Sequence, residues 1–216
     1  MTSSFDRHYY ETYYRNYTLQ NPRRKLLYYR RILEKHLGEG APRSVHDMGC
    51  AFGAFLGSLD DTWEIHGSDV SEFAIEEARK SYPRGAFLVG DASRAPVFSR
   101  PFGVVTAFDV IEHVPDLDRV ADSVNAQLVF GGLFVFVVPV YDGLSGPIIR
   151  LLDRDPTHVH KWPRQRWLDW AVKSFELLEW QGIVRYLLPW GYYLHVVTNR
   201  CRAHAPAILV ACRKRS

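Results

Sequence analysis

Between Ser44 and Pro139 the chain alternates short apolar runs with amphipathic stretches, and this rhythm limits the architectures open to it. SVHDM reads as a strand, and a helix follows from about Gly53. WEIHGSD is a second strand, and SEFAIEEARKSY is a helix capped by Ser71. AFLVGD is a third strand. FGVVTAFD is a fourth, and a helix from about Leu117 to Leu128 follows it. LFVFVVPV is a fifth, almost wholly apolar, as expected of a strand buried on both faces. Strands separated by helices predict an α/β fold with a parallel sheet and helices on both sides.

The flanks depart from this rhythm. Asn21-Pro22 reads as an N-cap with proline at the first helical position, opening a helix through RRKLLYYRRILEKHL that stops near Gly38 and Gly40. The tyrosine-rich segment from Tyr9 to Tyr17 reads as a further helix. Residues 141–162 form an irregular insertion with Gly143, Gly146, Pro147 and Pro156. A helix over Pro163–Lys173, a strand around Phe175–Tyr186, a loop and a last strand, PAILVACRK, complete a count of seven strands. The 216 residues suffice for one good core and are too few for two comfortable domains.

Apolar residues make up 47% of the chain and charged residues 24%, an ordinary globular composition. The longest apolar stretch, Leu128 to Val140, is broken by Gly131, Gly132 and Pro139 and falls short of the roughly 20 residues a membrane span needs. Cys50, Cys201 and Cys212 show no metal-ligand spacing and leave an odd count, so the chain is expected in a reducing cytosol without a disulfide framework. The net charge of +3 does not by itself call for nucleic acid. The clusters Arg23-Arg24-Lys25, Arg30-Arg31 and Arg213-Lys214-Arg215 read as solvated faces, with RNA contact as the alternative.

The junction SVHDMGCAFGAFLGSL carries the first functional signal. A strand, a glycine loop and a helix start make a cradle for a polar ligand. Gly49 permits a positive φ, and Gly53 lets the helix start pack close to ligand and sheet. Ala51 stands where a third glycine is common; its methyl is tolerated at negative φ and strained at positive φ. Asp69, 20 residues after Gly49, ends the second strand, where a carboxylate can accept ribose hydroxyls. Asp47 would repel a pyrophosphate but suits a cofactor with a positively charged amino acid end. Asp91, in Gly90-Asp91-Ala92, can accept from an adenine amino group.

Together HDMGCAFGAFL, HGSDVSEFAIEEAR, LVGDAS, FDVIEHV and GGLFVFVVP, in this order and spacing, resemble the class I S-adenosylmethionine-dependent methyltransferases. The resemblance implies a Rossmann-like, seven-stranded, mostly parallel sheet with a reversed last strand. It divides one domain, residues 1–216, into an N-terminal helical lid over 1–40, a cofactor-binding half over 42–140, and an acceptor-side insertion with C-terminal strands over 141–216. It implies that Asp47, Gly49, Cys50, Ala51 and Gly53 hold the methionine part of S-adenosylmethionine. Asp69 would hold the ribose, Val70, Asp91 and Ala92 the adenine, and Phe108 and Asp109 the pocket near the sulfonium.

Methyl transfer needs an acceptor lone pair aligned with the C–S bond, and a base when the acceptor is a hydroxyl or a protonated amine. His113 in IEHV is one candidate base, with a structural role as the competing reading. His158 and His160 in DRDPTHVHKW are the others; an extended stretch would put both on one side. The competing reading is a loop that pins the insertion. Asp109, Glu112 and His113 form an acid-x-x-Glu-His pattern that some family members use for a divalent metal; without an obvious further ligand, no metal is expected. Tyr9, Tyr10, Tyr13 and Tyr14 would present an aromatic helix face, either a lid that closes over the cofactor and shields the sulfonium or a packing surface. Tyr192, Tyr193 and His195 would add to the acceptor pocket, while Trp162, Trp167 and Trp170 pack a helix. The expected activity is methylation of an oxygen or nitrogen of a small molecule. An RNA or protein methyltransferase, an inactive relative and, more distantly, a nicotinamide dehydrogenase are the alternatives.

Overall fold

A computed structural model describes residues 12, 16–92, 94, 96–143, 146–153, 155–188 and 191–215. Tyr9, Tyr10, Tyr13 and Tyr14, on the N-terminal part of the expected lid, lie outside the described residues.

A short helix α1 (Tyr17–Gln20) precedes α2 (Arg23–His36). The alternating region then runs β1 (Ser44–Met48), α3 (Ala54–Gly57), β2 (Glu64–Asp69), α4 (Glu72–Ser81), β3 (Ala86–Val89), β4 (Phe102–Phe108), a 3₁₀ turn (Ile111–His113), α5 (Leu117–Gln127) and β5 (Leu128–Pro139). The rest is α6 (Gly146–Leu152), α7 (Arg164–Ser174), β6 (Phe175–Leu187), β7 (Tyr193–Thr198), a 3₁₀ turn (Arg202–His204) and β8 (Ala207–Lys214).

All strands join one sheet in the order β3-β2-β1-β4-β5-β8-β6-β7. The first five are mutually parallel, and β8 runs antiparallel between β5 and β6. The parallel sheet with a reversed last strand is therefore as expected. The strand count is eight rather than seven, because the stretch read as a loop before PAILVACRK contains β7, paired antiparallel to β6. The helix start also differs: Pro22 is itself the N-cap, and Asn21 instead donates to the Tyr17 carbonyl and accepts from Lys25. Ser71 caps α4 as expected, accepting from the Ala74 N–H.

The period-2 pattern of β5 explains its unbroken apolarity. Leu133, Val135 and Val137 face a core shared with Leu26, Tyr29 and Leu33 of α2 and Ile75 of α4. Phe134, Phe136 and Val138 face a second core with Val120 and Val124 of α5 and Trp167 and Trp170 of α7. Both tryptophans thus pack α7, as read from sequence. Leu33 is fully buried, and truncating it to alanine is expected to cost about 2–5 kcal/mol. The sheet order reverses at β1, with β2 on one side and β4 on the other. A crevice opens beyond the strand ends at such a point, and the site lies there.

Candidate active site

The loop after β1 is tied to the end of β2. The Gly49 and Cys50 N–H groups both donate to the Ser68 carbonyl, and the Ala51 N–H donates to Asp69 Oδ2 at 3.0 Å. Asp69 Oδ1 accepts from the Ser71 N–H at 2.9 Å. Gly49 has φ +71°, and a Cβ there would lie 2.3 Å from Val110 Cγ2, so only glycine fits. Gly53 has φ +75° and holds the start of α3 near Tyr82 and Phe87. Ala51 has φ 47°, the strained case, which costs about 1–2 kcal/mol. Its buried methyl packs with Ala74, Phe52, Phe73 and Tyr17, which offsets part of that cost.

A cavity of about 650 Å³ opens beside this loop. On the β1–β3 side it is lined by Asp47, Gly49, Cys50, Ala51, Asp69, Val70, Asp91 and Ala92. Asp47 is buried and accepts from Thr106 Oγ1 at 2.6 Å. Burial pushes its carboxyl up to about 7, against the Thr106 hydrogen bond and with help from Asp69. A bound ammonium would draw it down and restore the carboxylate. Phe108 and Tyr29, whose rings stack at 4.4 Å, line the middle.

On the β4–β6 side the lining includes Lys25, Asp109, Glu112, His113, His158, Arg185 and Tyr193. Asp109 has φ 60° and pairs with Arg185 through Oδ2. Burial raises its carboxyl, but the guanidinium outweighs burial and holds it below the usual range. Glu112 is fully buried, and neither carboxyl oxygen is hydrogen-bonded among the described residues. Burial, and then Asp109, push it well above the carboxylate range.

His158 is the best-held of the candidate bases. Its Nδ1 lies 3.0 Å from Asp153 Oδ1 and 3.1 Å from the Tyr141 hydroxyl, while Nε2 stands 4.0 Å from Glu112 Oε1. Such a carboxylate fixes the imidazole and leaves the far nitrogen for chemistry. Asp153 also takes Lys161 at 2.8 Å and Tyr141 at 2.7 Å. His113 lies beside His158, with its Nδ1 at 2.8 Å from Thr157 Oγ1. Ligand atoms of Glu112, His113 and His158 fall within 4.8 Å of one another, a set able to hold a metal ion. Among the described residues His158, not Asp109 of the sequence pattern, joins Glu112 and His113 in this set, since Asp109 pairs with Arg185.

His160 departs from expectation. It does not line the cavity; its Nε2 bonds the Val114 carbonyl at 2.9 Å and its ring packs on Trp162. The backbone N–H groups of Val159 and His160 both bond the Glu112 carbonyl, so the stretch is not extended and the two histidines diverge. His160 pins the insertion. Tyr192 is also outside the cavity lining, half-exposed with Arg24 over its ring, whereas Tyr193 lines it. His195 is not a lining residue either. Lys25, Tyr29, Arg185 and Asp153 were not singled out from sequence. Asp153, five residues before His158 in the same motif, was the detectable one.

The β1–β3 side fits S-adenosylmethionine: a near-neutral buried acid for an ammonium, a strand-end carboxylate for a diol, and Val70, Ala92 and Phe108 as apolar walls for a purine and a sulfonium. The model for "Methyltransferase domain" matches residues 14–181. Trans-aconitate 2-methyltransferase of Methylobacterium radiotolerans is 30% identical over 115 residues, 52% of this chain and 43% of that protein. The match thus spans less than half the length of this relative. A SAM-dependent methyltransferase from Methanosarcina mazei superposes with TM-score 0.63 at 17% identity, over 85% of this chain and 97% of that one. The N-methyltransferase NodS of Bradyrhizobium japonicum, in complex with S-adenosyl-L-homocysteine, gives 0.61 at 16%, over 89% and 88%. These two likenesses speak for the fold; the family match, with the motifs and the cavity they build, places the chain in the S-adenosylmethionine-dependent methyltransferase family.

Proposed function

We propose that this chain transfers the methyl group of S-adenosylmethionine to an oxygen or nitrogen of a small molecule. The observation that carries the reading is His158, fixed by Asp153 at Nδ1 on the wall of the same cavity that holds the cofactor residues. The cavity volume of about 650 Å³ lies within the usual range for small-ligand sites. The relative named for trans-aconitate is in keeping with a small acceptor. The cofactor supplies a methyl group already activated on a sulfonium. With the cofactor bound, His158 Nε2 would accept the acceptor's proton, freeing a lone pair to take the methyl group while the C–S bond breaks and S-adenosylhomocysteine leaves. Phe108 and Tyr29 wall the transfer position, and Asp47, Asp69 and Asp91 orient the cofactor.

The test offers methyl-labelled S-adenosylmethionine with a panel of small acids, phenols and amines, and separately with total RNA and with protein extract. Label in small molecules, lost in His158→Ala, is the expected result. Label only in RNA or protein would overturn the reading.

A second reading rests on Glu112, whose buried oxygens have no hydrogen-bond partner among the described residues. A divalent ion held by Glu112, His113 and His158 would orient an acceptor oxygen in place of proton removal by His158. His113 and His158 each have a polar partner at Nδ1, as metal-binding histidines commonly do. Activity abolished by a chelator and restored by one divalent metal favours this reading; indifference to chelation favours the first.

A further inference from the structure

Lys25 is a buried cation in the cavity wall. It sits in the first turn of α2, 7% exposed, and its Nζ bonds two neutral oxygens: Gln20 O at 3.2 Å and Asn21 Oδ1 at 3.1 Å. No ion pair to Lys25 occurs among the described residues. The rings of Tyr29 and Tyr193 flank it, with centroids 5.8 and 5.4 Å from Nζ. Such rings tolerate an ammonium but do not neutralise it. Arg185, also on this wall, is bonded to Asp109. Asp109, the carboxylate whose charge reaches Lys25, is thus already held by Arg185. A buried ammonium without a counter-ion is costly. It is tolerable where a ligand brings the missing negative charge.

We propose that Lys25, with Arg185 beside it, forms a seat for a carboxylate carried by the methyl acceptor, which makes the acceptor a small organic acid. This rests on the methyltransferase reading above. S-adenosylmethionine also carries a carboxylate, so the same chemistry has a second source. The acceptor is favoured by position: Lys25 Nζ lies beside the ring of Tyr193 on β7 and that of Tyr29, which stacks on Phe108 at the end of β4. The acid suited to the cofactor's amino acid end, Asp47, lies on β1, where it accepts from Thr106 Oγ1.

The test is calorimetry on wild type and Lys25→Met, a swap of similar length. Each is titrated with S-adenosylhomocysteine and with methylthioadenosine, which lacks the amino acid end. Each S-adenosylhomocysteine complex is then titrated with succinate, citrate and benzoate, with succinamide and benzamide as uncharged controls. The expected result is that at least one acid, and no amide, binds wild type, that Lys25→Met weakens it tenfold or more, and that S-adenosylhomocysteine affinity stays within about twofold. A melting temperature for Lys25→Met at or above wild type is expected and verifies folding; Lys25→Gln repeats the series if the methionine variant is unstable. If Lys25→Met weakens S-adenosylhomocysteine but not methylthioadenosine, the seat belongs to the cofactor and the acceptor assignment is overturned. Equal acid binding by both proteins, or none by wild type, overturns the seat. If wild type binds no S-adenosylhomocysteine, the methyltransferase reading fails separately. The acid titrations on the free proteins then still decide the seat.

Discussion

Asp69 holds two things at once, and the choice of variant decides what a mutation there reports. Its Oδ2 accepts the Ala51 N–H and its Oδ1 the Ser71 N–H. Alanine would leave both buried donors unpaired, at about 1–3 kcal/mol each, and would distort the loop before cofactor affinity could be read. Asparagine keeps one acceptor oxygen and leaves one donor unpaired. At about 2–4 °C per kcal/mol for a chain of this size, Asp69→Asn should melt roughly 2–12 °C lower and still fold. Its binding defect has a different origin, the loss of a charged acceptor for ribose hydroxyls. Hydrogen bonds to charged groups contribute about 1.5–3 kcal/mol, which converts to roughly 10- to 100-fold. Calorimetric titration with S-adenosylhomocysteine, well below both melting temperatures, measures it. An affinity within about threefold of wild type in a folded variant would refute the ribose assignment, and with it the orientation of the cofactor in the cavity.

Other expectations follow from single contacts. In Ala51→Gly, relief of the left-handed backbone is opposed by loss of a buried methyl, about 0.8 kcal/mol, and by a more flexible unfolded chain, so stability should move by less than about 1 kcal/mol. Ala51→Val keeps the strain and adds branching, and should cost more than 2 kcal/mol by the order of magnitude of such outliers; equal urea midpoints for the two variants would contradict this. His46 is buried between Gln127 and Ser68, and burial, opposed by the Gln127 hydrogen bond, pushes it down to about 4. The unfolded chain therefore takes up a proton first as pH falls below about 6.5, and stability should drop by about 2 kcal/mol between pH 7 and 5. Urea unfolding at both pH values, with His46→Gln showing a flatter profile, checks this. Asp153→Asn should lower kcat about 10- to 100-fold with the KM for S-adenosylmethionine unchanged, and Asp153→Glu should recover part of it, because the acid acts by positioning His158; unchanged kcat would exclude that role. Burial lowers Lys25 to about 8, with Asp109 opposing and Arg185 assisting. Of the groups around it, Tyr29 and Tyr193 are raised and His195 is lowered, each chiefly by burial, so none of these gains charge as pH rises from 7 to 9. Glu112, raised by burial on the same side of the cavity, can gain charge in either protein, so binding of an acid to the S-adenosylhomocysteine complex should weaken more over that range in wild type than in Lys25→Met.

The acids of the proposed cofactor side were legible in the sequence because each sits at or just beyond the end of a strand. Asp47, Asp69 and Asp91 come within two residues of the ends of β1, β2 and β3, and parallel strands bring those ends to one edge. Strand β7 was not legible. It is an edge strand, only partly buried along its length, so YLHVVT shows neither clean alternation nor a solid apolar run. The acceptor side was hidden by distance along the chain: Asp109 meets Arg185 across 76 positions, and no local pattern encodes that meeting. Lys25 is a different case. It was grouped with a basic cluster and read as solvated, yet Lys25, Leu26, Tyr29, Ile32 and Leu33 recur at the spacing of one helix face, and all five are buried. Arg23, Arg24 and Arg31 fall off that face and are exposed. A cation placed in an apolar stripe opposes the burial that forms the helix contact. That opposition, present in the sequence alone, is what separates a candidate ligand-binding lysine from the arginines on either side of it.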